Sequence, residues 1–265
     1  MRSVAIRGIG ICAGGLPDWA SATRVFEGTD SFDPRNTSTA APAGLPPTER
    51  RRVNEMSRLS CLAARDALTG AHPDVAASIP TIFVSSDGDG AVLAQMLRAL
   101  AQREVFISPT VFHNSVYNAP AGYWSIATRS TAPSTTLCAG EASIAAGFLE
   151  AYAQAQVTGG PILLVAADMP FPQEVRALGS SAAPFAFAMQ VEVAQGGALP
   201  RLERIAVNAA DGHPDDPADP LALAFAGNAT AKVLPLLRAL ARGERTRATL
   251  PYFDGFRLEL DVLPK

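Results

Sequence analysis

The chain has 265 residues, 48% of them hydrophobic, enough for one large domain or two small ones with a full core. A formal net charge of −3 argues against nucleic acid as a main partner. Three cysteines, Cys12, Cys61 and Cys138, are odd in number and far apart, so neither a disulfide framework nor a metal site is expected. No apolar stretch approaches the length of a membrane span, and Arg7 interrupts the apolar run near the N-terminus where a signal peptide would need its core. The expectation is a soluble cytoplasmic protein.

Residues 3–12, SVAIRGIGIC, predict a first strand, with a Gly-Gly turn and a short helix over Trp19–Phe26. Gly8, Gly10 and Ala13 match a G-x-G-x-x-A dinucleotide fingerprint in form only. Gly14, Gly15 and Pro17 follow at once, where that motif needs an uninterrupted helix to carry the pyrophosphate. Residues 33–48 are Pro/Ser/Thr/Ala-rich and read as an exposed loop. A helix is expected over Glu49–Leu68, with Met56, Leu59, Leu62, Ala63 and Leu68 inward and Arg50, Arg51 and Arg52 on a solvated face. Thr81–Ser85 reads as a buried strand. The turn Asp87-Gly88-Asp89-Gly90 lacks further carboxylates at calcium-loop spacing, so a helix-capping aspartate is expected before a helix over Ala91–Gln102.

Residues 105–128, VFISPTVFHNSVYNAPAGYWSIAT, hold five of the eighteen aromatics, interleaved with His113, Asn114, Tyr117 and Asn118. Such a mix suits a pocket wall, a protein interface or an ordinary core with satisfied polar residues. The stretch Pro133–Asp168 is the centre of the chain. It contains a short β-like run, a tight turn with Cys138 and Gly140, a small-residue helix and the strand Ile162–Ala167, continuous in apolar character as for a strand covered on both faces. The helix is mostly Ala, Gly and apolar residues, with Ser143, Glu150 and Gln154 on one narrow stripe, so burial on nearly all sides is expected. Strand, helix and strand in this order suggest a βαβ crossover. A cysteine in that turn meets the unpaired amides and positive dipole end of a helix, which favour thiolate and can form an oxyanion hole; otherwise it is a small buried hydrophobe. Beyond it lie a strand over Pro184–Val193, an acidic Pro-rich loop over 208–220 with His213, a helix over Ala229–Arg242 and a last strand over Arg257–Val262.

SVAIRGIGICAGG, followed by a Trp-bearing helix, resembles the opening strand and turn of β-ketoacyl synthases of the thiolase-like fold. The Cys138 segment resembles their nucleophile elbow, and PILLVAAD the strand after it. Phe112, the run Ser115-Val116-Tyr117-Asn118-Ala119-Pro120-Ala121-Gly122, and Pro133-Ser134-Thr135 are closer still to the short chain-length-factor proteins of aryl-polyene-type pathways. The resemblance implies a thiolase-like layered α/β fold in a single domain over 1–265, with a core at 1–168 and a reduced second half at 169–265.

The resemblance also carries departures. A decarboxylating ketosynthase of this family needs a cysteine and two histidines, yet the only histidine after Cys138 is His213. Aligning Gly140 and Ser143-Ile144 with the synthase pattern puts Leu137 at the nucleophile position, whereas a shift of one residue puts Cys138 there and loses the glycine. Without two imidazoles, decarboxylation and C–C bond formation lack stabilisation of their transition states. The expectation is a non-catalytic homologue that pairs with an active ketosynthase, takes an acyl chain from an acyl carrier protein and needs no cofactor. Thr136, Leu137, Cys138 and Gly140 would then line the elbow or acyl tunnel. Phe112, His113, Asn114, Tyr117, Asn118, Tyr123 and Trp124 would form the interface. Two alternatives stay open: an acyltransferase using Cys138 as nucleophile with His113 as its one candidate base, and a structural homodimer without acyl ligand.

Overall fold

The continuous apolar run at Ile162–Asp168 forms a strand buried at all seven positions, and the rest of the molecule is arranged as its cover. This computed structural model describes residues 3–103, 106–178, 181–196, 199–209 and 219–264; His213 and most of its acidic loop lie outside the described residues. In chain order the first elements are β1 (Val4–Ala13), α1 (Trp19–Glu27), α2 (Pro47–Arg50), α3 (Glu55–Ala67), α4 (Val75–Ser78), β2 (Thr81–Val84), α5 (Gly90–Leu100), α6 (Pro109–Asn114) and α7 (Ala119–Thr128). There follow β3 (Ser134–Leu137), α8 (Ser143–Thr158), β4 (Ile162–Asp168), β5 (Phe185–Val193), β6 (Arg201–Ala209), α9 (Pro220–Ala224), α10 (Leu234–Arg242), β7 (Thr246–Pro251) and β8 (Phe256–Leu263). The strands form one mixed sheet in the order β3-β2-β4-β5-β1-β6-β8-β7.

In the first five strands of that order, β2 runs parallel to both β3 and β4, and β5 runs antiparallel to β4 and β1. The βαβ unit is therefore real but skips a strand, since β2 sits between β3 and β4. Side-chain alternation divides the core in two. Ile11, Ile82, Val84, Leu164, Phe187 and Met189 face α8 and α10. Cys12, Phe83, Leu163, Val165, Ala186 and Ala188 face α3 and α7. Strand β5, FAFAM, thus gives its large residues to one side and its alanines to the other.

Small residues set the distances between layers. An added Cβ on Gly10 would lie 2.0 Å from the Ala63 carbonyl oxygen, and one on Gly8 2.0 Å from that of Ala67. The Gly8-x-Gly10 pair serves the close approach of α3 to β1, which accounts for its dinucleotide-like form. On the other face, a Cβ on Gly147 would meet Val84 Cγ2 at 2.8 Å and Leu164 Cδ1 at 3.0 Å, so this glycine seats α8 on the sheet. The helix is not buried all round: Ala153 and Val157 are exposed, Val157 at 87%.

Several boundaries differ from the sequence expectation. The helix expected over Glu49–Leu68 is split into α2 and α3, because Asn54 is extended and its side chain caps α3 by accepting the Ser57 amide at 3.0 Å. The tail helix begins with a 3-10 turn over Thr230–Val233 before α10. Strand β5 lies between β4 and β1 in the one sheet. Strands β6 and β7 carry no clear strand signal in the sequence, because their outer positions are charged or polar. On that outer face, Arg247 reaches Asp261 at 2.6 Å and Arg257 reaches Glu259 at 3.0 Å, with Asn208 on Glu259 at 2.8 Å. Asp89 caps α5 as expected, accepting from Ala91 and Val92 amides.

Two glycine replacements separate close packing from backbone freedom. Gly10→Ala drives a methyl into the α3 backbone and should lower stability by about 3 kcal/mol. Gly122→Ala, on an exposed turn of α7 with open space around it, should raise stability by up to about 1 kcal/mol. Urea melts of both variants check the pair.

Candidate functional site

The parallel strands β2, β3 and β4 end at Val84, Leu137 and Asp168, bringing the turns after them to one edge of the sheet, where α/β folds place ligands. Strand β3 is the edge strand of the sheet, so the elbow turn lies at the surface rather than buried. Thr135 and Leu137 point toward α8; Thr135 Oγ1 accepts from Gln154 at 3.1 Å and Leu137 packs on the core. Thr136 alternates to the other face. Cys138 follows as an exposed residue, and Gly140, at φ +55°, makes the tight turn into a 3-10 turn ahead of α8. Leu137 is therefore a packing residue, and Cys138 is the side chain the turn offers to solvent.

The turn does not favour thiolate. The Cys138 Sγ donates to the Ser86 carbonyl at 2.9 Å, tucking the sulfur against the loop although the residue as a whole is exposed. This partial burial is the main effect that pushes the thiol up, and the Asp87 carboxylate adds to it, with a lesser share from Asp168. Hydrogen bonds from the Gly140 amide and the Tyr117 hydroxyl oppose the shift without reversing it. The Ala139 amide, a further donor at this turn, is taken by Ser143 Oγ at 2.7 Å.

Asp168, which by sequence only closes a strand, is the best-satisfied side chain here. Its Oδ1 accepts from the Ser85 hydroxyl at 3.1 Å, the Ser86 amide at 2.7 Å and the Ser86 hydroxyl at 2.8 Å. Its Oδ2 accepts from the Thr230 amide at 2.9 Å and hydroxyl at 2.8 Å. Its carbonyl accepts from Asn228, whose side chain also reaches Ser181 and Ala183. The available signal was an aspartate closing a wholly apolar strand, since a buried carboxylate requires partners.

The residues expected at an interface divide into two sets. Phe112, His113, Tyr117 and Asn118 are exposed on or beside α6. Tyr123 and Trp124 are core residues, each 1% exposed, because α7 packs its aromatic face on α3. Asn114 is buried as well, accepting from the Tyr123 hydroxyl at 3.0 Å and donating to the Arg52 carbonyl at 2.8 Å. These three are not available to a partner. His113 lies edge-on against Tyr123 at 5.7 Å, and among the described residues no hydrogen bond links an imidazole to Cys138.

Two cavities adjoin this edge of the sheet. One of about 170 Å³ lies between Asp87, Gly88, Met96 and Tyr117. The other, about 190 Å³, lies between Cys12, Arg58, Pro184 and Phe225. Both are smaller than the roughly 300–1,000 Å³ of usual ligand pockets. No cluster of potential metal ligands occurs among the described residues, and none of their helices is long and apolar enough to cross a membrane.

The family profile described as β-ketoacyl synthase, N-terminal domain, matches residues 19–250. The chain belongs to this family. No curated protein sequence matches it. Among solved structures it is similar to a ketosynthase in complex with its chain length factor from Xenorhabdus doucetiae, with 20% identity, a TM-score of 0.74, and coverage of 98% of this chain and 100% of that one. A similar match is the ishigamide ketosynthase/chain length factor, at 12% identity, TM-score 0.73, and 99% and 100% coverage. A complex of a type II polyketide acyl carrier protein with its hexaketide-bound ketosynthase matches at 15% identity and TM-score 0.74, with 100% coverage of both chains. The thiolase-like ketosynthase fold expected from the sequence is thus the observed one.

Two outcomes follow from this geometry. Asp168→Ala strands the Ser86 and Thr230 amides, each buried amide left unpaired costing about 1–3 kcal/mol, whereas Thr230→Val removes one hydroxyl for about 1 kcal/mol. Denaturant midpoints should fall in that order. Asp87→Asn removes a carboxylate that holds the Cys138 thiol up, so the thiol's ionisation should move to lower pH. Iodoacetamide labelling of Cys138 near neutral pH should then be faster than in the wild type.

Proposed function

We propose that this chain is the non-catalytic partner of an active β-ketoacyl synthase, and that the pair shapes a channel limiting an acyl or polyene chain delivered by an acyl carrier protein. The observation that carries this reading is an elbow whose cysteine is held as a thiol, with no imidazole bonded to it among the described residues. Such a turn keeps the shape of a nucleophile elbow without the means to ionise its nucleophile or to stabilise an enolate. The small size of the two adjacent cavities supports a channel completed by a second subunit.

The surface for that subunit is the open edge of β3 with the neighbouring stripe of α8. The outer edge of β3 pairs with no described strand, and an unpaired edge invites another chain's strand. Val157 on α8 extends this surface, as do Phe112 and Tyr117, which are 62% and 59% exposed. An obligate pair would bury more than about 2,000 Å² in total. A second reading rests on one fact, the exposure of Cys138 as a residue, which sets it at the surface of the elbow although its thiol is tied to the Ser86 carbonyl.

Co-expression with a ketosynthase encoded beside it should yield a heterodimer stable on size exclusion, and Val157→Glu should dissociate it without changing the melt of the isolated chain. Clean separation of the wild-type proteins at micromolar concentration would count against the pairing, and elution of this chain as a dimer by itself would favour self-association. Cys138→Ser should cost at most about 1–2 kcal/mol and leave product formation by the complex intact. An acyl adduct on Cys138 by intact-protein mass spectrometry, together with lost turnover in Cys138→Ser, would establish the enzymatic alternative instead.

A further inference from the structure

A cleft of about 590 Å³, the size of an ordinary ligand pocket, lies away from the elbow, where β1, α1 and the end of α3 meet α10. Its lining combines apolar residues, among them Trp19, Pro200 and Leu240, with the polar Arg7, Thr23, Asp66 and Thr69. Three polar groups converge in it. The first is Asp66, whose Oδ2 accepts the Ile11 amide at 3.0 Å and the Trp19 amide at 2.6 Å, while no described residue bonds its Oδ1. Burial pushes this carboxyl up, and no cation offsets it; Arg7, also in the wall, is engaged by Glu192 at 2.6 Å.

The other two polar groups belong to the backbone of Ile9. Strand β6 pairs with β1 only at Val4 and Ala5, and the Ile6 amide is taken by the Pro200 carbonyl. Beyond the register slip that precedes Gly8, the Ile11 amide turns to Asp66 and the Ala13 amide to Leu16, both away from β5. Backbone groups alternate with period two along a strand, so Ile9 turns its N–H and C=O the same way, into the cleft. No described residue takes them. The cleft therefore presents one strand-type donor and acceptor beside an unneutralised carboxylate, with Trp19, Pro200 and Leu240 as its apolar lining. Nothing in the proposed pairing with a ketosynthase uses it.

We propose that this cleft binds a small apolar molecule carrying an ammonium next to an amide, such as the amide of a hydrophobic amino acid. The ammonium meets Asp66 Oδ1, the amide pairs with Ile9 as a neighbouring strand would, and the apolar side chain lies between Trp19 and Leu240. Calorimetry on the full chain with phenylalaninamide tests this. Saturable binding is expected, weakened about tenfold or more with N-acetylphenylalaninamide and in Asp66→Asn, since a charge-assisted hydrogen bond is lost in each. Because Asp66 also ties β1 to α1, a second variant, Ala20→Trp, fills the cleft from an exposed position of α1 and should abolish binding with an unchanged thermal melt. Absence of saturable binding by the wild type, equal binding of the acetylated probe, or binding that survives Ala20→Trp would overturn the proposal.

Discussion

The buried carboxylate of Asp168 is the joint on which this fold turns. It ends the most deeply buried strand, and its two oxygens divide their work between the halves of the chain, one taking Ser85 and Ser86 and the other taking Thr230. A charge removed from water is tolerated only when its lone pairs are filled, so the loop after β2 and the turn before α10 must both be in place for β4 to end as it does. The same loop carries Asp87 and the carbonyl that accepts the Cys138 thiol. Fold and elbow geometry are thus coupled through one side chain.

Around that joint the layers follow from residue size. Alanines on β5 and glycines on β1 let α3 approach one face, while phenylalanines and branched residues fill the space beneath α8 and α10 on the other. The strands β6, β8 and β7 are apolar toward α10 only. Their outer face is an array of arginine, aspartate and glutamate pairs, in which the buried Glu259 is held by Arg247, Arg257 and Asn208.

The elbow illustrates how a local motif and its chemistry can separate. A cysteine between a strand and a helix is, by position, a candidate nucleophile, and the turn, the tight glycine and the following helix are all present. The charge environment runs the other way, because Asp87 arrives from a turn some fifty residues earlier and Asp168 from the next strand. The helix start is also weaker than the sequence suggests, since a 3-10 turn precedes α8 and Ser143 occupies one of the amides that an oxyanion would need.

The sequence by itself determined the elements whose signals are local. The continuous apolar run of β4, the small-residue helix α8, the aspartate cap of α5 and the ketosynthase-like elbow were legible because periodicity and capping act over a few neighbouring residues. Tertiary structure alone decided that β2 lies between β3 and β4, that Leu137 packs inward while Cys138 faces out, and that Tyr123, Trp124 and Asn114 belong to the core. It also decided that Gly8 and Gly10 admit a helix, and that Ile9 has a strand neighbour on the β5 side alone. These depend on which distant segments come together, and no window of sequence holds both members of such a pair. Strands β6 and β7 are not legible in the sequence for a related reason: one face of each is polar and charged, and only the sheet that buries the other face identifies them as strands.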